Sequence, residues 1–215
     1  MFRKLSLVFV GIVVFAFATT TFASALLDLS TGVNVGAVGN PLFPTSAGTR
    51  DSYWFVLSTP AGAASANTQA WIKGGMGQWN FIQGTLPIFA NDQSAGISEY
   101  ERCFCLTDMA DAKLDLTMRA DNVATLYLNS YYNPVVQSAS NDTFNTAKPA
   151  TQFQYTSGNG LKLGKNCLRV RLNNEGGITA FALKATLQAR SAYDFFDERS
   201  ACCSKKEEVF TRPLR

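Results

Sequence analysis

Few side chains in this chain are equipped for chemistry, and cysteine leads them. The five cysteines fall as Cys103-Phe104-Cys105, Cys167 and the vicinal pair Cys202-Cys203, and there is no histidine. Without imidazole, the serine and cysteine triads that rely on it have no base, and most transition-metal sites lose their commonest ligand. A zinc site built from Cys103, Cys105 and Cys167 is a poor third reading, because Cys-x-Cys lacks the usual two-residue gap and no histidine completes it. Disulfide chemistry fits better. Cys103 and Cys105 lie on the strand face opposite Phe104, and Cys167 lies opposite Leu168. If those strands are neighbours, one of the first pair bridges to Cys167 across the ladder. Reduced cysteines packed under a loop are the alternative, and the sequence leaves the partners of Cys202 and Cys203 open.

Acids occur in near pairs, Asp108 with Asp111 and Glu99 with Glu101. Two carboxylates can hydrolyse a glycosidic bond when a cleft holds them across it. Here they sit on a turn and on a strand, where solvated acids are the ordinary outcome, and the chain is expected not to be an enzyme. Asp121-Asn122 is an oxygen-rich step, but no run of alternating acids accompanies it as a calcium loop requires. Its side chains, like that of Asn129, are expected to hydrogen-bond the backbone and fix a turn, reversing the strand at Asp121-Asn122. No cofactor or metal is implied, calcium at this step being the one alternative. Gly74-Gly75 and Gly176-Gly177 lie between strands and do not precede helices, so they are not phosphate loops.

The aromatic residues offer binding chemistry. Trp71 and Trp79 flank a glycine-rich stretch, and Tyr131-Tyr132 sit together at a turn. An exposed indole or phenol beside such small residues can lie flat on a pyranose face, so these four are the candidate glycan-stacking residues. The bland alternative is that the tryptophans plug the ends of the fold and only one tyrosine is exposed.

The elements that would position these groups are strands. In the run from Lys113 to Tyr132, Leu114, Leu116, Met118 and Ala120 alternate with Asp115, Thr117 and Arg119. After Asp121-Asn122, Ala124, Leu126 and Leu128 alternate with Thr125, Tyr127 and Asn129. Period two is the signature of a half-buried sheet. The same alternation carries Leu168, Val170 and Leu172 against Arg169 and Arg171, and it closes with Phe181, Leu183, Ala185 and Leu187. Residues 51–59 form a continuous apolar run with Trp54 and Val56 on one face and Tyr53, Phe55 and Leu57 on the other.

Three stretches together resemble the galactose-binding-like jelly-roll domains, which include carbohydrate-binding modules. They are strand, Ala120-Asp121-Asn122, strand and then Tyr127-Leu128-Asn129; the aromatic-bearing strand Tyr100 to Leu106; and Gly164-Lys165-Asn166-Cys167-Leu168, which is similar to a Gly-x-Asn-x-Leu strand. The resemblance covers roughly residues 51–189 and implies an all-β fold, an antiparallel jelly-roll β-sandwich, with glycan as the ligand. Its motifs are structural ones and speak to fold more than to function.

Residues 1–25 read as a signal peptide, with Arg3 and Lys4 ahead of an apolar run to Ala18 and a small-residue end at Ala23-Ser24-Ala25. That run is shorter than the roughly 20 residues that cross a bilayer, so no membrane span is expected after cleavage. Residues 26–189 are expected to form the β domain, and they hold eleven basic and eleven acidic residues. Such a balance favours neither nucleic acid nor an anionic membrane. Residues 190–215 form a charged tail in which Phe195-Phe196, Cys202-Cys203 and Val209-Phe210 recur every seven residues, as on one stripe of a short helix; an unstructured tail is the alternative. The expected protein is a non-catalytic binding module for glycan or surface polysaccharide, secreted, on the cell surface or in the periplasm. The rival expectation is a structural or adhesive subunit of an extracellular layer, matrix or filament that self-associates through the tail or an edge strand.

Overall fold

The computed structural model describes residues 25–35, 41–44, 48–64, 68–73, 82, 84–91, 94–130, 134–137, 151–156 and 160–194. Strand is the only regular element among them. In chain order these are β1 (Ala25–Asp28), β2 (Val33–Val35), β3 (Pro41–Pro44), β4 (Arg50–Thr59), β5 (Gly62–Ala63), β6 (Gln69–Ile72), β7 (Ile88–Phe89) and β8 (Gly96–Leu106). They continue as β9 (Lys113–Asp121), β10 (Val123–Leu128), β11 (Pro134–Gln137), β12 (Thr151–Thr156), β13 (Gly164–Asn174), β14 (Ala180–Ala189) and β15 (Ala192–Asp194). No helix among the described residues is long and apolar enough to cross a membrane.

One antiparallel sheet runs β11-β10-β13-β8-β4-β6-β7-β14-β9-β12, with β1 added to β14, β15 to β8 and β5 to β4; β2 and β3 pair separately. The sheet curls into a half-barrel, and its end strands β11 and β12 approach to within 8 Å between Cα atoms. The curl turns one side of the sheet inward. There Phe181 of β14 meets Trp54 of β4 edge-on at 5.5 Å between ring centroids and Tyr100 of β8 at 4.9 Å. The alternating residues named above line this interior: Leu114, Met118, Leu126, Leu168, Val170, Leu172, Leu183 and Leu187 are all fully buried. Each such side chain stabilises the fold by about 1.5–3 kcal/mol relative to exposure. Burial also pushes the Tyr100 phenol above its ordinary pKa, while its oxygen accepts the Ala90 N–H at 2.8 Å.

The step at Asp121-Asn122 corrects an expectation. It does not fold β9 back on β10: β9 pairs with β14 and β12, while β10 pairs with β13 and β11. The chain there passes from one half of the curled sheet to the other, through a cis peptide bond. The turn after β13 makes the return crossing, and the two crossings grip one another. Asn122 Oδ1 accepts the Glu175 N–H at 2.9 Å, and Thr179 Oγ1 donates to the Asp121 carbonyl. These side-chain bonds therefore join two crossings instead of capping a hairpin.

Two buried polar side chains, Asp51 and Arg102, tie the interior together. Asp51 accepts N–H groups of Gly32 (2.7 Å), Tyr53 (2.8 Å) and Trp54 (3.0 Å). Arg102, equally buried, donates to the carbonyls of Ser30 (3.0 Å) and Asp28 (2.8 Å) and lies over the Tyr53 ring. Together they fasten the segment after β1 to β4 and β8. Gly32 is obligatory there, since its φ is +68° and a Cβ would sit 2.5 Å from that of Leu86. Desolvation raises the Asp51 carboxyl above its usual range, against the lowering effect of the three N–H donors and Arg102.

Cys103 and Cys167 face each other in the β8–β13 ladder and form a disulfide, with Cα atoms 4.0 Å apart. Cys105, two residues along β8, is fully buried. Ala192–Asp194, the start of the charged tail, pairs with β8 as β15. The rest of the tail, with its helix expectation and Cys202 and Cys203, lies outside the described residues, as do residues 1–24 and the signal-peptide expectation.

Candidate functional site

The outer side of β10, β13 and β8 carries what the alternation turns away from the core. Antiparallel register places Arg171 opposite Glu99 and Arg169 opposite Glu101, and sets Thr125 and Tyr127 against the two arginines from the other side. Arg169 Nε donates to Glu101 Oε2. Arg171 Nε lies 3.0 Å from Glu99 Oε1, though its N–H is not aimed at that oxygen, and Glu99 Oε2 accepts the Ser58 hydroxyl at 3.3 Å. These four groups were expected to be solvated. They are instead cross-strand ion pairs, partly screened, a geometry that contributes a few tenths to about 1 kcal/mol per pair.

Beside the pairs runs an open groove of about 280 Å³, lined by Ile97, Val123, Thr125, Tyr127, Arg171 and Asn173. Its lining mixes apolar Ile97, 42 % exposed, Val123 and the Tyr127 ring, 9 % exposed, with polar Thr125, Arg171 and Asn173. Among the described residues, the Thr125 hydroxyl, the Asn173 amide and the terminal nitrogens of Arg171 have no protein partner. They are donors and acceptors left for water or a ligand.

The expected stacking residues are not in this groove as far as they are described. Trp71 is half-buried on β6, two strands beyond β8 along the sheet, and the Arg50 guanidinium covers one face of its indole at 4.3 Å from the ring centroid. Lys73 covers the neighbouring Phe89 ring in the same way at 4.5 Å; partial burial lowers its pKa. Trp79, Tyr131 and Tyr132 lie outside the described residues. The groove residues themselves were missed because Thr125, Tyr127 and Asn173 read only as the outward half of an alternation. The available signal was Glu-x-Glu on one strand matched by Arg-x-Arg on another.

Asn129, expected to make a turn, does so with φ 64°, donating to the Gly160 carbonyl at 2.8 Å and to Asn166 Oδ1 at 3.0 Å while its Oδ1 accepts the Cys167 N–H at 2.9 Å. Asn166, fully buried, donates in turn to the carbonyls of Lys162 and Gly164. This network holds the end of the β10–β13 pair beside the disulfide. Glu101, Cys103 and Cys167 bring one oxygen and two sulfurs within 4.8 Å of one another. With the sulfurs bonded to each other there is no thiolate to hold a metal. At the Asp121-Asn122 step considered for calcium, Asn122 Oδ1 accepts the Glu175 N–H.

Comparison of the chain with protein-family models, with curated proteins and with solved structures finds no match. The site is therefore read from its own chemistry.

Proposed function

We propose that the protein is an exported, non-catalytic binding module of the jelly-roll type whose ligand is a glycan, bound in the groove across β10 and β13. The observation that carries this reading is the groove itself: an open trough on the sheet face, where the Thr125 hydroxyl, the Asn173 amide and the terminal nitrogens of the Glu99-paired Arg171 stand beside apolar Ile97 and Val123, a composition that orients a polyhydroxylated ligand. The Cys103–Cys167 disulfide supports an oxidising compartment. Glu99 and Glu101 are each tied to an arginine, which argues for structural acids and against a general acid and base.

The test is calorimetric titration of the folded chain against a broad set of polysaccharides. Binding that disappears in Thr125→Trp, which fills the groove, and survives in Trp71→Ala supports the reading. Absence of binding by a folded protein to every polysaccharide refutes it.

The rival reading, a structural or adhesive subunit, draws on the sheet ends. Among the described residues β11 and β12 each pair on one side only, so each offers backbone donors and acceptors to a further strand. Light scattering over a concentration series of the full chain, and of a chain ending at Asp194, decides it: growth of assemblies with concentration favours assembly, and a monomer at all concentrations removes it.

A further inference from the structure

Resting on the glycan reading, we infer that the groove selects neutral saccharides and rejects polyanionic ones such as uronate or sulfated polymers. Arg171 lines the groove, and Glu99, Arg169 and Glu101 stand beside it on the outer face; their formal charges cancel in pairs, Arg171 with Glu99 and Arg169 with Glu101. Apart from the Tyr127 phenol, its other lining positions, Ile97, Val123, Thr125 and Asn173, carry no ionisable side chain. On the flanking strand β4 the register brings Phe55 and Ser58 beside these glutamates.

A carboxylate or sulfate group only accepts hydrogen bonds. Drawn to Arg171, it meets the Glu99 carboxylate immediately behind that guanidinium, and displacing Glu99 would leave its charge with only the Ser58 hydroxyl as partner. Like-charge juxtaposition of this kind discriminates against a ligand more strongly than a missing contact does. A sugar hydroxyl both donates and accepts. It can receive an N–H from Arg171 or the Asn173 amide and give its own proton to Thr125 or a glutamate oxygen without breaking either pair. Ile97 and Val123 are placed to cover the apolar C–H surface of the ring. Charge-paired side chains thus act as a neutral array of donors and acceptors.

The experiment titrates the full chain with neutral oligosaccharides (gluco-, manno- and galacto-configured), oligogalacturonate and a heparin fragment, at low and high salt. The expected result is binding of at least one neutral ligand with an affinity insensitive to salt, weakened roughly tenfold or more by Arg171→Ala. Glu99→Gln, nearly the same in shape, is expected to admit the acidic ligands with salt-sensitive affinity; circular dichroism checks that each variant is folded. Preference of the unaltered chain for oligogalacturonate or heparin, declining with salt, overturns this inference and leaves glycan binding standing. Failure to bind any of the saccharides, neutral or acidic, overturns both.

Discussion

The two halves of the curled sheet follow the same rule of apolar inside and polar outside, yet their outer faces differ. On β8 and β13 opposite charges meet across the strands, Arg169 on Glu101 and Arg171 on Glu99. On β9 and β14 the register sets Lys184 against Thr117 and Gln188 against Lys113, and the ion pair at the surface, Lys113 with Asp115 at 3.0 Å, lies along one strand. The first arrangement holds its glutamates at 26 % and 17 % exposure and borders a groove; the second leaves its two partners 38 % and 45 % exposed. Alternation alone makes a surface. Register decides whether the surface becomes a site.

Phe181→Ala should abolish the contrast, because Phe181 packs on both Trp54 and Tyr100. The cost is expected to reach about 5 kcal/mol in urea unfolding, with both halves lost in one transition. Loss of binding before loss of global structure would mean the halves are less coupled than this.

Replacing Cys103 and Cys167 by serine should act on the grooved half first. Cross-linking residues 64 apart in sequence removes enough freedom from the unfolded chain to be worth about 4 kcal/mol. A destabilised chain whose groove variants still behave as in the parent would show that the bridge supports the fold without shaping the site.

Asp51 sharpens the comparison through pH, since it anchors the segment that edges β14 to strands of the other half. Its folded pKa is raised above 3.8. The contribution is therefore present below that value and is lost as pH rises through the raised pKa. Asp51→Asn, which cannot ionise, is expected to remove that fall from the stability–pH profile measured by thermal unfolding. An unchanged profile would place the titration elsewhere.

The smallest effect belongs to the open half. Lys113→Ala should cost less than about 0.5 kcal/mol, because an exposed pair gains little over water. It should leave any binding untouched, and a larger loss in either would erase the distinction between the two outer faces.

Much of the architecture was legible from period-two patterning: Leu114 to Ala120, Leu168 to Leu172 and Phe181 to Leu187 all turn inward as the alternation requires. That one of Cys103 and Cys105 bridges to Cys167 was legible once β8 and β13 were assumed to be neighbours; the register selects Cys103. What local pattern could not give was pairing across distance. Asp121-Asn122 has turn composition, and nothing nearby reveals that its partner is Glu175 in another crossing. The groove was hidden for the same reason, since Glu99 and Arg171 are 72 positions apart and become a pair only through register. Attention to tryptophan favoured Trp71, one face of whose ring is covered by Arg50.

The ladder between β1 and β14 joins Ala25 to Ala189 and Asp28 to Thr186. The earliest described strand is consequently paired with one of the last described, β14. Contacts of this sequence span are slow to form. The fold therefore closes only once β14 has been made.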